Sequence, residues 1–181
     1  NQLYKNKLEK YKPDNYNFKY KVLYPSNENF NVYDINFKKY DLAVITGSSL
    51  SIYDKNKQVK NNIDLVKTLL NNKIPCFGSC WGMQMLAYLS GGNVIKSDYR
   101  ELGFGRNIII NNNKNIYKDI GNFTSLVSHG DNVVNIDQSS ILSYNNHSVQ
   151  AIKTNIKGID HYGVQYHPEY NLYYLYQYLN L

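Results

Sequence analysis

Two glycines bracket a cysteine in Gly78-Ser79-Cys80-Trp81-Gly82. The run before it, residues 74–78, is short and largely apolar and predicts a buried strand. The run after it, residues 81–89, is apolar at most positions and stops at Gly91-Gly92, which predicts a buried helix with a glycine C-cap. A G-x-nucleophile-x-G segment between a strand and a helix is the setting of a nucleophile elbow. The side chain at such a tip sits on strained backbone, and glycine two residues to either side lets neighbouring chains close in. A thiol there also faces the partial positive charge of a helix N-terminus, which favours thiolate over thiol. Cys76 falls inside the predicted strand and reads as core.

A cysteine nucleophile needs a base, and histidine is the usual one. The chain has His129, His147, His161 and His167. His167 stands at the end of a predicted strand in Gly163-Val164-Gln165-Tyr166-His167-Pro168-Glu169. Pro168 keeps it out of helical geometry, and Glu169 is placed to orient and charge-stabilise the imidazole. Cys80, His167 and Glu169 are therefore the predicted nucleophile, base and orienting acid. His129, followed by Gly130-Asp131, reads equally as a turn cap or as a substrate-side group. The histidines show no H-E-x-x-H or similar spacing, and the two cysteines are not a C-x-x-C pair, so no metal site is expected.

These groups need a scaffold. Residues 42–46 are largely apolar and halted by Gly47-Ser48-Ser49, predicting a buried parallel strand and then a functional loop. Val59, Ile63, Val66, Leu69 and Leu70 fall at helical spacing within residues 58–72. Residues 19–24 alternate up to Pro25 and predict a strand, and residues 1–11 a short amphipathic helix. Short strands are predicted at 107–110, 124–127, 148–152 and 162–166, and a closing helix at 172–181. Strand–helix–strand units with apolar strands mean an α/β fold, a mostly parallel central sheet flanked by helices, with room for an antiparallel edge among the later strands.

The G-S-C-W-G-M-Q elbow with G-V-Q-Y-H-P-E, in the order Cys, His, Glu, resembles the class I (triad-type) glutamine amidotransferases. Ser128-His129-Gly130-Asp131 is similar to the S-H-G-D segment in the glutaminase domain of GMP synthetase. Ile45-Thr46-Gly47-Ser48-Ser49 with Ile52-Tyr53-Asp54 is similar to the T-G-S…Y-D loop of the stand-alone, GMP-synthase-like subgroup. The resemblance runs from about Asp41 to Glu169. It implies a flavodoxin-like fold and a single glutaminase domain over residues 1–181. It also implies that Cys80 attacks the side-chain amide carbon of glutamine, that His167 takes the thiol proton and hands it to departing ammonia, and that Glu169 holds His167. The γ-glutamyl thioester is then hydrolysed.

The same resemblance implies oxyanion donors at the backbone N–H groups of Trp81, Gly47 and Ser48, where the family's loop has two glycines in place of Gly47-Ser48. Gln84 and the His129–Gly130 backbone are implied to hold the substrate. Arg100-Glu101-Leu102-Gly103 resembles the family's R-E-x-G strand entry, and a structural ion pair is its expected role. The family opens on a central strand of small residues, and none precedes Leu3. Either the chain given begins after that strand or the sheet is built without it. A partner synthetase that uses the ammonia to aminate XMP is the implied acceptor. A γ-glutamyl peptidase or hydrolase with the same triad is the alternative. No G-x-x-x-x-G-K-[ST] loop is present, so no nucleotide cofactor is expected on this chain.

Composition narrows the field further. At 181 residues and 21.1 kDa the chain fits one domain of about 100–200 residues and leaves no room for a synthetase. Apolar residues at 43% and charged ones at 19% exclude a disordered chain. Apolar runs are too short to span a membrane, and no leader is expected from the residues given. The net charge of +6 comes from scattered lysines, with arginine limited to Arg100 and Arg106, so a nucleic-acid partner is not expected. Two cysteines without a disulfide framework point to a reducing, cytoplasmic compartment. A pseudoenzyme predicts a broken triad, whereas all three positions are filled.

Overall fold

Val59, Val66, Leu69 and Leu70 turn inward from helix α2 (Lys57–Asn71), which starts where the Asn56 side chain accepts the Val59 N–H at 2.8 Å. This helix is the crossover from strand β1 (Ala43–Ile45) to strand β2 (Cys76–Ser79). Helix α3 (Trp81–Leu89) follows after a single residue, Cys80, and is buried from Trp81 through Ala87. It ends as expected, with Gly91 at φ 99° and the Gly92 N–H donating to the Ala87 carbonyl at 3.0 Å.

The structure, a computed structural model, describes residues 2–110 and 116–170. It adds helix α1 (Gln2–Tyr11) and strands β3 (Asn93–Ile109), β4 (Phe123–Val134), β5 (Ile141–Tyr144), β6 (Val149–Ile156) and β7 (Ile159–Val164). The seven strands form a sheet in the order β1-β2-β7-β6-β5-β3-β4. The α/β class stands, but the expected mostly parallel sheet does not. Only β1–β2 and β2–β7 run parallel; the other four neighbouring pairs are antiparallel. A parallel neighbour needs a long crossover, and among the described connections between sequential, paired strands only α2 supplies one. Later strands follow through short turns. Between β6 and β7 the turn is Lys157-Gly158, with both residues at positive φ (55° and 81°).

Two other expectations change. The predicted strands at 107–110 and 124–127 are the ends of a long β3–β4 hairpin that pairs from Asn107 with Phe123 to Asn93 with Val134, its register broken between Lys96 and Glu101. Its polar, largely exposed residues 96–100 carry no apolar alternation, which hid its length. Residues 19–24 join no strand. Tyr20 packs against α1 instead, with the Lys5 ammonium 5.3 Å over its ring, while Leu23 packs on the core and Val22 and Tyr24 are exposed. The predicted closing helix at 172–181 lies outside the described residues.

Alternation within β5 and β6 loads both faces of the sheet. Ile141 and Ile152 join the cluster under α2 and α3 with Leu70, Met83 and Leu86. Leu142 and Ala151 face the other way, toward Val127, Val164, and the Tyr117–Tyr166 pair, whose hydroxyls are 2.9 Å apart. Among the buried ionisable groups is a histidine. His161 on β7 has no exposed surface, and its Nδ1 accepts the Cys76 N–H at 3.2 Å.

Burial holds the His161 pKa below the ordinary 6.5, against the opposing pull of the Ile156 carbonyl and Asp160. The folded ring therefore binds fewer protons than the unfolded one, so its contribution is complete above about 6.5 and is lost as the pH falls from there toward the lowered folded value. Thermal melts across pH 5–8 are expected to show this acid-side loss, and His161→Leu is expected to flatten it. His129, also lowered by burial, keeps some of the slope. An unchanged slope in His161→Leu would remove the ring from the account.

Candidate active site

The elbow is built by backbone packing. A Cβ on Gly78 would lie 2.4 Å from the Gly82 carbonyl carbon, and one on Gly82 would lie 2.2 Å from the Ile45 carbonyl oxygen. Only hydrogen at both positions lets the first turn of α3 rest on the ends of β1 and β2. Cys80 is left at the tip with φ 50° and ψ −111°, a strained conformation for a residue with a Cβ. Its N–H donates to the Val164 carbonyl of β7 at 2.8 Å, and its thiol donates to the Ser128 carbonyl of β4 at 3.7 Å.

His167 arrives just past the end of β7. Its backbone N–H donates to the Leu126 carbonyl at 2.9 Å, which fixes it beside β4. Its Nδ1 donates to Glu169 Oε1 at 2.8 Å, and both side chains are largely buried. Burial works to lower the imidazole pKa, but Cys80 and the Glu169 carboxylate outweigh it and raise the pKa to about 10. Gly47, in the loop after β1, presses on both groups: a Cβ there would meet His167 Cε1 at 3.1 Å and Cys80 Cβ at 3.6 Å. The structure brings Cys80, His167, Glu169 and Gly47 together.

The other predicted site residues divide. Trp81 opens α3 with its indole in the core, and its backbone N–H belongs to the unpaired first turn of that helix. Ser48 is exposed, with its Oγ accepting the Leu50 N–H at 3.1 Å, and it needs no left-handed backbone. Gln84 is buried, and its Nε2 lies 3.2 Å from both the Asp131 carbonyl and Gln165 Oε1, so its amide donors tie α3 to β4 and to the segment after β7. His129 turns its ring away from solvent. Nδ1 is 3.1 Å from the Asp131 carbonyl and Nε2 is 3.5 Å from Glu101 Oε1, which leaves the backbone of His129 and Gly130 as the part able to face a ligand.

Arg100 and Glu101 do not pair with each other, and the ionic neighbour of Glu101 is His129, whose Nε2 lies 3.5 Å from Oε1. Neighbouring strand residues point to opposite faces. Glu101 is buried and accepts from Asn145 Nδ2 and Ser148 Oγ, both at 2.6 Å, while Arg100 reaches Ser128 Oγ at 3.3 Å. Sequence reasoning missed Ser128 as the acceptor facing the thiol, because a carbonyl carries no side-chain signature. It also missed Tyr4 of α1. Its hydroxyl is buried without a hydrogen-bond partner, and burial raises its pKa. Among the described residues no group of three or more His, Cys, Asp or Glu side chains could hold a metal ion, and no helix is long and apolar enough to cross a membrane.

Known proteins share this chain's pattern. The family model for class-I glutamine amidotransferases matches residues 6–174. GMP synthase (glutamine-hydrolyzing) of Cytophaga hutchinsonii is 32% identical over 128 residues, covering 70% of this chain and 24% of that protein. The protein of the same name from Fusobacterium nucleatum is 34% identical over the same length and shares. The chain thus spans about a quarter of the length of the curated relatives it matches. Among solved structures, a glutamine amidotransferase from Thermotoga maritima superposes with a TM-score of 0.70 at 21% identity, over 81% of this chain and 64% of that one. A glutamine amido transferase from Methylobacillus flagellatus gives 0.64 at 18% identity, over 80% and 58%. These two share the fold. With the family model running through the elbow, the S-H-G-D segment and H-P-E, the chain belongs to the class I glutamine amidotransferases.

Proposed function

We propose that this chain is a glutaminase that hydrolyses the side-chain amide of glutamine and passes the ammonia to a synthetase, as its similarity to GMP synthases suggests. The observation that carries the reading is Cys80 on a strained strand-to-helix tip, facing a His167 whose Nδ1 is held by Glu169 at 2.8 Å. Cys80 Sγ attacks the amide carbon Cδ while His167 holds the thiol proton. The tetrahedral intermediate collapses as that proton moves to the nitrogen, the C–N bond breaks and ammonia leaves. Water, deprotonated by His167, then attacks the thioester, releasing glutamate and restoring the thiol. Glu169 keeps the imidazole in one orientation and offsets its charge throughout.

The intermediate's oxyanion falls to the Trp81 N–H and to the backbone of Gly47 and Ser48. One such donor is worth about 10²–10³ in rate. The backbone of His129 and Gly130 borders the glutamine. The acceptor is a synthetase that aminates XMP, separate from the described residues. The test is to incubate the purified chain with glutamine, and separately with γ-glutamyl peptides, with and without candidate synthetases, and to measure glutamate and ammonia. Glutamate and ammonia in equal amounts from glutamine are expected. Cleavage of γ-glutamyl peptides with no reaction on glutamine in any mixture would replace this reading with that of a peptidase.

A further inference from the structure

Two segments far apart in sequence meet beside the elbow. Ser51 Oγ donates to Asp131 Oδ2 at 2.7 Å, and Tyr53 Oη donates to Asp131 Oδ1 at 2.8 Å. Both oxygens of one carboxylate are gripped by the loop that follows β1. The Asp131 carbonyl in turn accepts from Gln84 Nε2 at 3.2 Å and faces His129 Nδ1 at 3.1 Å. Asp131 therefore links that loop to α3, one turn below Cys80, and to β4, three residues beyond the Ser128 carbonyl that receives the thiol. Inside the loop the Ser51 N–H donates to Asp54 Oδ2 at 3.0 Å, leaving residues 46–50, Gly47 and Ser48 among them, as the span between β1 and the clamp.

We propose that Ser51, Tyr53 and Asp131 are positioning residues that hold the Gly47–Ser48 backbone donors in register with Cys80 during the reaction. The inference rests on the glutaminase reading and deepens it. Oxyanion donors help only when fixed before charge develops, since a loop that must reorganise gives back what it stabilises. Gly47-Ser48-Ser49 is a stretch of small residues with little packing of its own, and Gly47 lies so near His167 that an added Cβ would sit 3.1 Å from Cε1. A clamp on a single carboxylate, itself anchored beside the nucleophile, restricts the loop without placing a side chain in the site.

The test compares Tyr53→Phe, Ser51→Ala, their double variant, Asp131→Ala and Asp131→Asn with the wild type, each checked by thermal melting. The probes are glutamine and glutamate γ-semialdehyde. The Cys80 thiol adds across the aldehyde carbonyl, a C–S bond forms, and the proton passes to the new oxygen, which occupies the oxyanion position. The double variant is expected to lower kcat about 10- to 100-fold and to weaken aldehyde binding to match, with KM for glutamine nearly unchanged. Asp131→Ala is expected to give the same loss, with little more when combined with the double variant, because all three act through one contact. Asp131→Asn, which keeps an acceptor, is expected to recover part of it. Lowered glutamine turnover with aldehyde binding unchanged, additive losses, or wild-type behaviour in the variants would each overturn the clamp. A wild type that neither hydrolyses glutamine nor captures the aldehyde would overturn the glutaminase reading itself, and the clamp's role with it.

Discussion

Replacing Cys80 with serine is expected to lower glutamine turnover on the order of 10⁶-fold, the loss seen when one member of a cooperating nucleophile–base unit is removed. The fold survives, because the hydroxyl is smaller than the thiol and the elbow is shaped by Gly78 and Gly82. Cys80→Gly makes the physical point more sharply. It removes the Cβ that makes φ 50°, ψ −111° costly, and it is expected to abolish turnover while raising stability by about 1 kcal/mol, the strain relieved less the extra freedom of glycine when unfolded. Denaturant titration of the wild type and both variants, beside a coupled glutamate assay, checks all of this. Cys76 supplies the control: its thiol is buried, and burial pushes its pKa up to about 12, so Cys76→Ser should leave turnover intact. Turnover lost in Cys76→Ser and kept in Cys80→Ser would reverse the assignment.

The second large effect falls on a residue with no chemistry. Gly82→Ala puts a methyl 2.2 Å from the Ile45 carbonyl oxygen, and the obstacle is backbone on both sides. Neither a rotamer change nor a flexible side chain can relieve it, so α3 must lift off β1. A cost of about 3 kcal/mol or more is expected, at the upper end for overpacking and a large part of an ordinary stability of about 5–15 kcal/mol. For a chain of this size that corresponds to a fall in Tm of roughly 6–12 °C. Turnover falls with it, since the Trp81 N–H and Cys80 ride on the displaced turn. Gly121→Ala is the matched control, because a Cβ there meets nothing within 4 Å and no positive φ is required. A Gly82→Ala protein that melts with the wild type would mean that α3 does not rest on β1 as closely as described.

The elbow was legible because its physics is local. A strand, a strained residue and a helix must follow one another directly, and the glycines that permit the packing lie two residues to either side of Cys80. The His167–Glu169 pairing was legible for the same reason, the two being separated only by Pro168. The long β3–β4 hairpin was not, because residues 96–100 are polar and the pairing on either side of them, with its register break, is set by β4 and not by local pattern. Residues 19–24 misled in the opposite way, since Tyr20 packs on a helix, Leu23 on the core, and Val22 and Tyr24 are exposed. The extent of antiparallel pairing among the later strands, expected only at an edge, also escaped, because strand pattern carries face and period but not the sense of the neighbour.

What the residues alone determined, then, is the chemistry on offer: a strained thiol, a histidine with its own carboxylate, and a loop of small residues ahead of them. What only the tertiary structure decided is how these meet. It turned the His129 ring into the core and spent the Gln84 amide on holding strands. It separated Arg100 from Glu101 across a strand, and it joined Ser51 and Tyr53 to Asp131. The reason is range. Backbone strain and close glycine packing are written within a few residues, whereas a hydrogen bond between residues some eighty apart exists only once the sheet has set the distance between them.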